Sequence, residues 1–231
     1  MFHKSSLTVL AAAIFTTCGG VSLQANVITN GSFESPLVPA GGWTDYASGS
    51  TAIPGWTVVG AAGGVSIVSG TDVQLCCAFP AEDGAQYLDL TGDGTNAVEG
   101  VEQTFSTTIG TNYTLTFWVG NVDNPSAGFG TASTVNVKLG GLNGTLLDSV
   151  TNSVNNSTTQ TWQMFTTSFT ASGSTTAVDF LNGDPGNDNT NGLDNVSINS
   201  TSAVPEPSSV ALLGSALGVL AFWSRKRTYR G

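Results

Sequence analysis

Histidine occurs once in these 231 residues, lysine and arginine together six times, and cysteine three times. Most of that small stock sits at the two ends. Between residues 26 and 203 there is no histidine, a single base (Lys138) and only two cysteines, the adjacent Cys76 and Cys77. A segment without histidine cannot assemble a Ser-His-Asp or Cys-His relay. With two thiols and no imidazole, a zinc centre is not expected either. Fifteen carboxylates face that one lysine, a net charge of −14. Nothing there neutralises phosphates, so nucleic acid is not a partner. The same surface repels polyanions and attracts cations.

The ends explain where the bases went. His3 and Lys4 precede an apolar run over residues 7–15 and a small, polar exit through Gly19, Gly20 and Ser22, which is the layout of a secretory signal peptide. Cleavage is expected after Ala25. Thr17 and Phe15 do not suit a lipoprotein signal at Cys18. At the other end, Pro205, Glu206 and Pro207 precede an apolar stretch over residues 208–223 and then Arg225, Lys226 and Arg227. That stretch is near the lower limit for a single membrane-spanning helix, and its basic tail favours the cytoplasmic side. Residues 1–25 thus read as a signal peptide, 26–203 as the working domain and 204–231 as a C-terminal signal.

A Pro-Glu-Pro triplet, a short hydrophobic span and an Arg-rich end, in that order, resemble the PEP-CTERM sorting signal of Gram-negative bacteria. The resemblance implies recognition by an exosortase-type sorting enzyme. It also implies transient inner-membrane anchoring, then release to the outer surface or the extracellular matrix of a biofilm.

No window of the middle shows a helical period. Short runs rich in Val, Ile, Thr, Phe and Tyr alternate with polar residues and are separated by Gly, Asn, Asp and Pro, the pattern of an all-β sandwich or barrel. The clearest run is 112–120, where Tyr113, Leu115, Phe117 and Val119 share one face and Thr114, Thr116 and Trp118 the other. Similar alternation appears around Leu88, Val135, Phe165, Val178 and Val196. The segments 53–84 and 121–134 read as long Gly-, Ser- and Ala-rich loops. Five motifs recur in order: Asn30 to Glu34, Ile53 to Trp56, Gln103 to Phe105, Tyr113 to Phe117 and Gly192 to Ile198. Together they resemble the galactose-binding-like, jelly-roll β-sandwiches of bacterial choice-of-anchor surface proteins, related in pattern to carbohydrate-binding modules. That resemblance implies fold and surface context more than ligand.

Several constellations bear on chemistry. Glu34 and Asp194 can meet if the first and last strands are neighbours, and hard oxygen ligands of this kind suit one structural Ca²⁺. The alternative is that both carboxylates hydrogen-bond loop backbone. The acidic segment 184–192 lacks the spacing and closing Glu of a calcium loop and reads as a solvated loop. Trp118 faces outward and offers a plate for stacking on a sugar ring. Tyr87, Asp89, Glu102 and Asn136 are outward on their own strands and are expected to share that face. Alternatively, Trp118 lies under a loop. Trp56 is expected to pack inward, Trp162 to join the core beside Phe165 and Phe169, and Trp43 and Tyr46 to form either core lid or binding rim.

Adjacent cysteines cannot staple distant strands. Cys76 and Cys77 form a strained vicinal disulfide, with Cα atoms one peptide unit apart, or remain two thiols; an oxidising compartment permits the bridge. Two carboxylates suffice for a glycosidase, but no clustered Glu-x-Asp-x-x-Glu pattern is present. The expectation is therefore a non-catalytic surface or matrix protein that holds extracellular polysaccharide. A coat protein organised by divalent cations is the alternative, ahead of a polysaccharide-degrading enzyme.

Overall fold

The computed structural model describes residues 26–92, 98–186 and 188–201. The expected signal peptide, the sorting signal with the hydrophobic helix expected in it, and Asp93 all lie outside the described residues. Gln24–Ser202 forms one compact unit.

The expectation of an all-β sandwich holds. The described strands are β1 (Trp43–Tyr46), β2 (Thr57–Gly60), β3 (Val65–Ser69), β4 (Val73–Gln74), β5 (Cys77–Ala78), β6 (Gln86–Asp89), β7 (Glu99–Ser106), β8 (Asn112–Asn121), β9 (Ser133–Leu139), β10 (Thr145–Asn152), β11 (Thr161–Thr170), β12 (Thr175–Asn182) and β13 (Gly192–Ser200). They build a six-stranded sheet of order β1-β3-β6-β13-β8-β11, a five-stranded sheet of order β10-β9-β12-β7-β2, and a small β4-β5 hairpin. Neighbours in both large sheets are antiparallel.

The inner faces follow the alternation. Leu115, Phe117 and Val119 of β8, Leu88 of β6 and Ile198 of β13 meet Val135 and Val137 of β9, Val178 and Phe180 of β12 and Val101 of β7 in one buried core. Aromatic edges lock it, with Phe117 and Phe180 rings 5.1 Å apart and nearly perpendicular. Trp56 is inward as expected, against Phe33 at 5.4 Å, with its indole N–H donating to the Asn30 carbonyl. This core closes within residues 26–201, so the sandwich is a folding unit in its own right.

The amino-terminal segment lies along β13, where the Val27 amide donates to the Ile198 carbonyl and the Val196 amide to that of Gly31. Only glycine fits at 31, because a Cβ there would stand 2.0 Å from the Val196 oxygen. The contact coincides with a bulge between Asp194 and Ser197, where Asn195 is left-handed with φ 47°. Such an extra residue re-aims its neighbours. Asp194 is thereby turned onto the outer face.

Two sequence expectations need correction. The segment 53–84 is not one long loop: it contains β2 to β5, and all five residues of β3 are buried. Trp162 is not in the main core. It stands three positions before Phe165, hence on the opposite side of β11, and belongs to a second cluster with Val68, Cys77, Phe79, Tyr87, Val122 and Phe129.

Candidate functional site: a cleft on the outer face of the six-stranded sheet

Cross-strand register organises the outer face of the six-stranded sheet into two rows. Trp43 of β1, Val68 of β3 and Tyr87 of β6 are direct partners. One step along the strands, Asp45, Ser66 and Asp89 form the second row, which continues through Gly192 and Gly120 to Trp162. An aromatic row beside an acidic row is the local chemistry of the face.

The two glycines make room for Trp162. A Cβ on Gly120 would come within 2.9 Å of its ring, and one on Gly192 within 2.8 Å. The indole therefore lies across the strands, meets Tyr87 edge-on at 5.4 Å and donates its N–H to the Pro80 carbonyl at 2.8 Å. Tyr87 ends only 2% exposed. Burial pushes its phenol well above the ordinary value.

Loops from 70–85, 121–131 and 188–191 rise around this face and leave an open cleft of about 320 Å³. Trp43, Phe79, Tyr87 and Phe129 supply its aromatic surface, and Asp89, Ser66, Asn189 and Thr190 its polar surface. Trp43 is 43% exposed at the rim. Its neighbour Tyr46, of opposite parity, is in the core, so the two aromatics of β1 separate into rim and lid.

Asp89 is held in place by its neighbours. Its Oδ1 accepts from the Thr91 amide and hydroxyl at 3.0 and 2.8 Å and from the Asn191 amide at 3.1 Å. Burial raises its pKa to about 6 against those donors. Behind it, Asp184 is pushed to about 8, by burial and then by Asp188, and burial holds Asp188 near 7. Among the described residues the one base, Lys138, does not compensate: it is on β9 of the other sheet, donating to the Leu142 carbonyl.

The expected ligand group is divided by this geometry. Tyr87 and Asp89 do line the cleft. Trp118 lies on the same outer face, half-buried between its cross-strand partners Asp194 and Met164, and is not among the cleft residues. Asn136 does not share the face at all. It belongs to β9 in the five-stranded sheet, where its side-chain oxygen accepts from Ser149, and Glu102 is in that sheet too. Strand parity says which residues point outward, not from which sheet. Phe79 and Phe129 escaped sequence reasoning because they stand in segments read as loops; a lone Phe in each Gly- and Ala-rich stretch was the available signal.

Glu34 and Asp194 grip one loop from two sides. Glu34 Oε1 accepts from the amides of Ala85 and Gln86 at 2.8 and 3.1 Å. Asp194 Oδ2 accepts from Glu82 and Asp83 at 2.9 and 3.0 Å, and its Oδ1 from Asn195 at 2.7 Å. Burial raises Asp194 to about 8. Two N–H donors occupy both lone-pair directions of one Asp194 oxygen, and Ca²⁺ takes six to eight oxygens. As arranged, the pair fits backbone latching rather than a metal. Among the described residues no group of three or more His, Cys, Asp or Glu side chains is placed to hold an ion.

Cys76 and Cys77 are two free thiols at the β4-β5 hairpin, the first exposed and the second buried. The Asn124 amide reaches both sulfurs, at 3.1 and 3.7 Å. Leu75, 82% exposed with φ 53°, forms the turn beside them and overhangs the cleft.

Residues 203–227 match the PEP-CTERM protein-sorting motif, a signal for export and surface sorting. Among curated proteins no sequence match is found. Among solved structures, the chain is similar to the Stig cyclase Fisc from Fischerella sp. TAU, in complex with (3Z)-3-(1-methyl-2-pyrrolidinylidene)-3H-indole, at 20% identity and a TM-score of 0.53, covering 79% of this chain and all of the other. That likeness shows the fold alone. Weaker similarity links it to the CBM22-1 xylan-binding domain from Paenibacillus barcinonensis Xyn10C (19% identity, TM-score 0.40, 72% and 99% covered). Another such match is TmCBM61 in complex with beta-1,4-galactotriose (14%, 0.43, 76% and 98%). The family described as "Protein of unknown function (DUF642)" matches residues 26–199, and the chain belongs to it.

Proposed function

We propose that the sandwich is a non-catalytic module that holds polysaccharide at the outer surface or in the extracellular matrix, after sorting by an exosortase. The observation that carries this reading is the cleft itself, in which the half-exposed Trp43 ring stands one row from the carboxylate of Asp89. A flat apolar plate beside fixed hydrogen-bonding groups is what a sugar ring requires, since it presents C–H faces and hydroxyl edges. The lack of histidine in residues 26–203 supports binding over turnover.

Pull-down of purified domain by insoluble polysaccharides, followed by titration with soluble oligomers, tests the proposal. Binding by wild type and its loss in Trp43→Ala are expected. Retention by a glycan without dependence on Trp43 would move the site elsewhere, and release of reducing sugar would replace the module with an enzyme.

A structural Ca²⁺ at Glu34 and Asp194 is a competing proposal for the 82–86 loop, because the oxygens that would ligate it accept backbone N–H groups. The latch predicts an unchanged melting curve in EDTA. A fall restored by added Ca²⁺ would establish the metal, since a native-state ligand stabilises by mass action, and would favour a cation-organised coat.

A further inference from the structure

The cleft has an asymmetry of hydrogen-bonding capacity. Its hydroxyl and amide donors are largely turned into the protein: the Ser66 hydroxyl donates to Asp45, that of Thr190 to the Phe129 carbonyl at 3.0 Å, and the Gln74 amide to Asp72 at 2.9 Å. The Tyr87 phenol is engaged with Gln160, and at the rim the indole N–H of Trp43 and the Asn189 side-chain amide are left. The acceptors are in excess. Asp89 lines the cleft, and Asp45, exposed and across Ser66 from it, adds a second carboxylate outside the lining. Behind the floor, Asn191 Oδ1 is a further buried acceptor that meets no donor among the described residues.

A neutral sugar hydroxyl can donate to these carboxylates but brings no charge to offset theirs, and the carboxylate of a uronate brings acceptors alone and is repelled. An ammonium group brings three donors, no acceptor and a charge that both carboxylates and the Trp43 face attract. We propose that the cleft selects glycans carrying free amino groups, with Asp89 as the ammonium acceptor, Asp45 adding negative charge beside it, and Trp43 stacked on the same or the adjoining ring. The inference rests on the polysaccharide-binding reading and narrows it to hexosamine polymers that are not acetylated.

The geometry also couples binding to protons. An ammonium beside Asp89 favours its charged form, so around pH 6, where Asp89 is partly protonated, binding releases a fraction of a proton.

The test is calorimetric titration of the purified domain with glucosamine oligomers, their N-acetylated counterparts, neutral glucose oligomers and oligouronates of equal length. Glucosamine oligomers are expected to bind at least about tenfold more tightly than the acetylated and neutral series, the scale of one charge-assisted hydrogen bond. Asp89→Asn keeps an oxygen for the Thr91 and Asn191 amides; it should lose about tenfold and the proton release at pH 6. Asp148→Asn on β10, a change of equal charge on the other sheet, should change neither. Equal affinity for acetylated and amino oligomers would overturn the inference while leaving the polysaccharide reading intact. Binding of no glycan would sink both. Amine binding weakened equally by the two Asn variants would mean attraction to the acidic surface as a whole, and would overturn the inference too.

Discussion

The outer faces of the two sheets were built from the same alternation yet became different surfaces. On the six-stranded sheet, glycines at 120 and 192 let Trp162 lie flat, Tyr87 is sealed, and loops wall a cleft. On the five-stranded sheet, hydroxyls and amides pair across strands, as in Thr134 with Thr151 at 3.0 Å and Ser149 with Asn136 at 2.7 Å. There the Asp179 carboxyl lies under the 140–144 turn beside Glu102, accepting from the Gly141 amide. A sheet face becomes a site when something holds its loops away from it. Here the edge-on pair of Tyr87 and Trp162 does so, whereas on the other sheet hydroxyls and amides pair across the strands and Asp179 is covered by its turn, one of its oxygens without a partner among the described residues.

The largest expected effect comes from removing that prop. Tyr87→Ala should cost about 3 kcal/mol in denaturant unfolding, the scale of a buried aromatic truncation. Thr104→Ala, exposed on the other sheet, should stay within about 0.5 kcal/mol. Equal losses would erase the distinction. Next in size, Gly192→Ala drives a methyl into the Trp162 ring; about 1–3 kcal/mol of overpacking is expected, with a change in tryptophan fluorescence.

Acidity sharpens the comparison further. The pKa values of Asp89 (about 6), Asp179 and Asp188 (about 7) and Asp184 and Asp194 (about 8) are all raised, chiefly by burial. The folded state therefore binds more protons than the unfolded chain over this range. The stability these groups contribute is full below their unfolded pKa near 4 and is lost as pH climbs through 6 to 8. The melting temperature should fall from pH 5 to pH 8.5; a rise over that interval would contradict the assignment. The smallest effect belongs to the other sheet. Glu102→Gln removes the neighbouring charge that adds to the burial of Asp179, and should flatten the slope near pH 7 only slightly.

What was legible depended on parity. The β8 run turns Trp118 outward and buries Phe117 in any sandwich, so the facing of the clearest strand was also read correctly. The same rule makes Trp162 and Phe165 opposite in facing, although two aromatics three apart look like one cluster. β3 gave no alternation because it is covered on both faces. Asn136 shows a different limit: parity assigned it to an outward face, and only the pairing of β9 with β10 and β12 identified which one. The cleft could not be seen for a related reason. Trp43, Phe79, Asp89 and Thr190 span most of the domain's length, and only long-range register, with the loops it positions, brings them together.

The central claim is that the face propped open by Trp162 and Tyr87 is the one that binds. Amide chemical-shift mapping during titration with a soluble glucosamine oligomer tests it most directly. Shifts concentrated at Trp43, Ser66, Gln74, Asp89 and Asn189 are predicted, with Asn136, Lys138 and Thr151 unmoved. Shifts centred on β9 and β10, or none for any glycan tested, would contradict it.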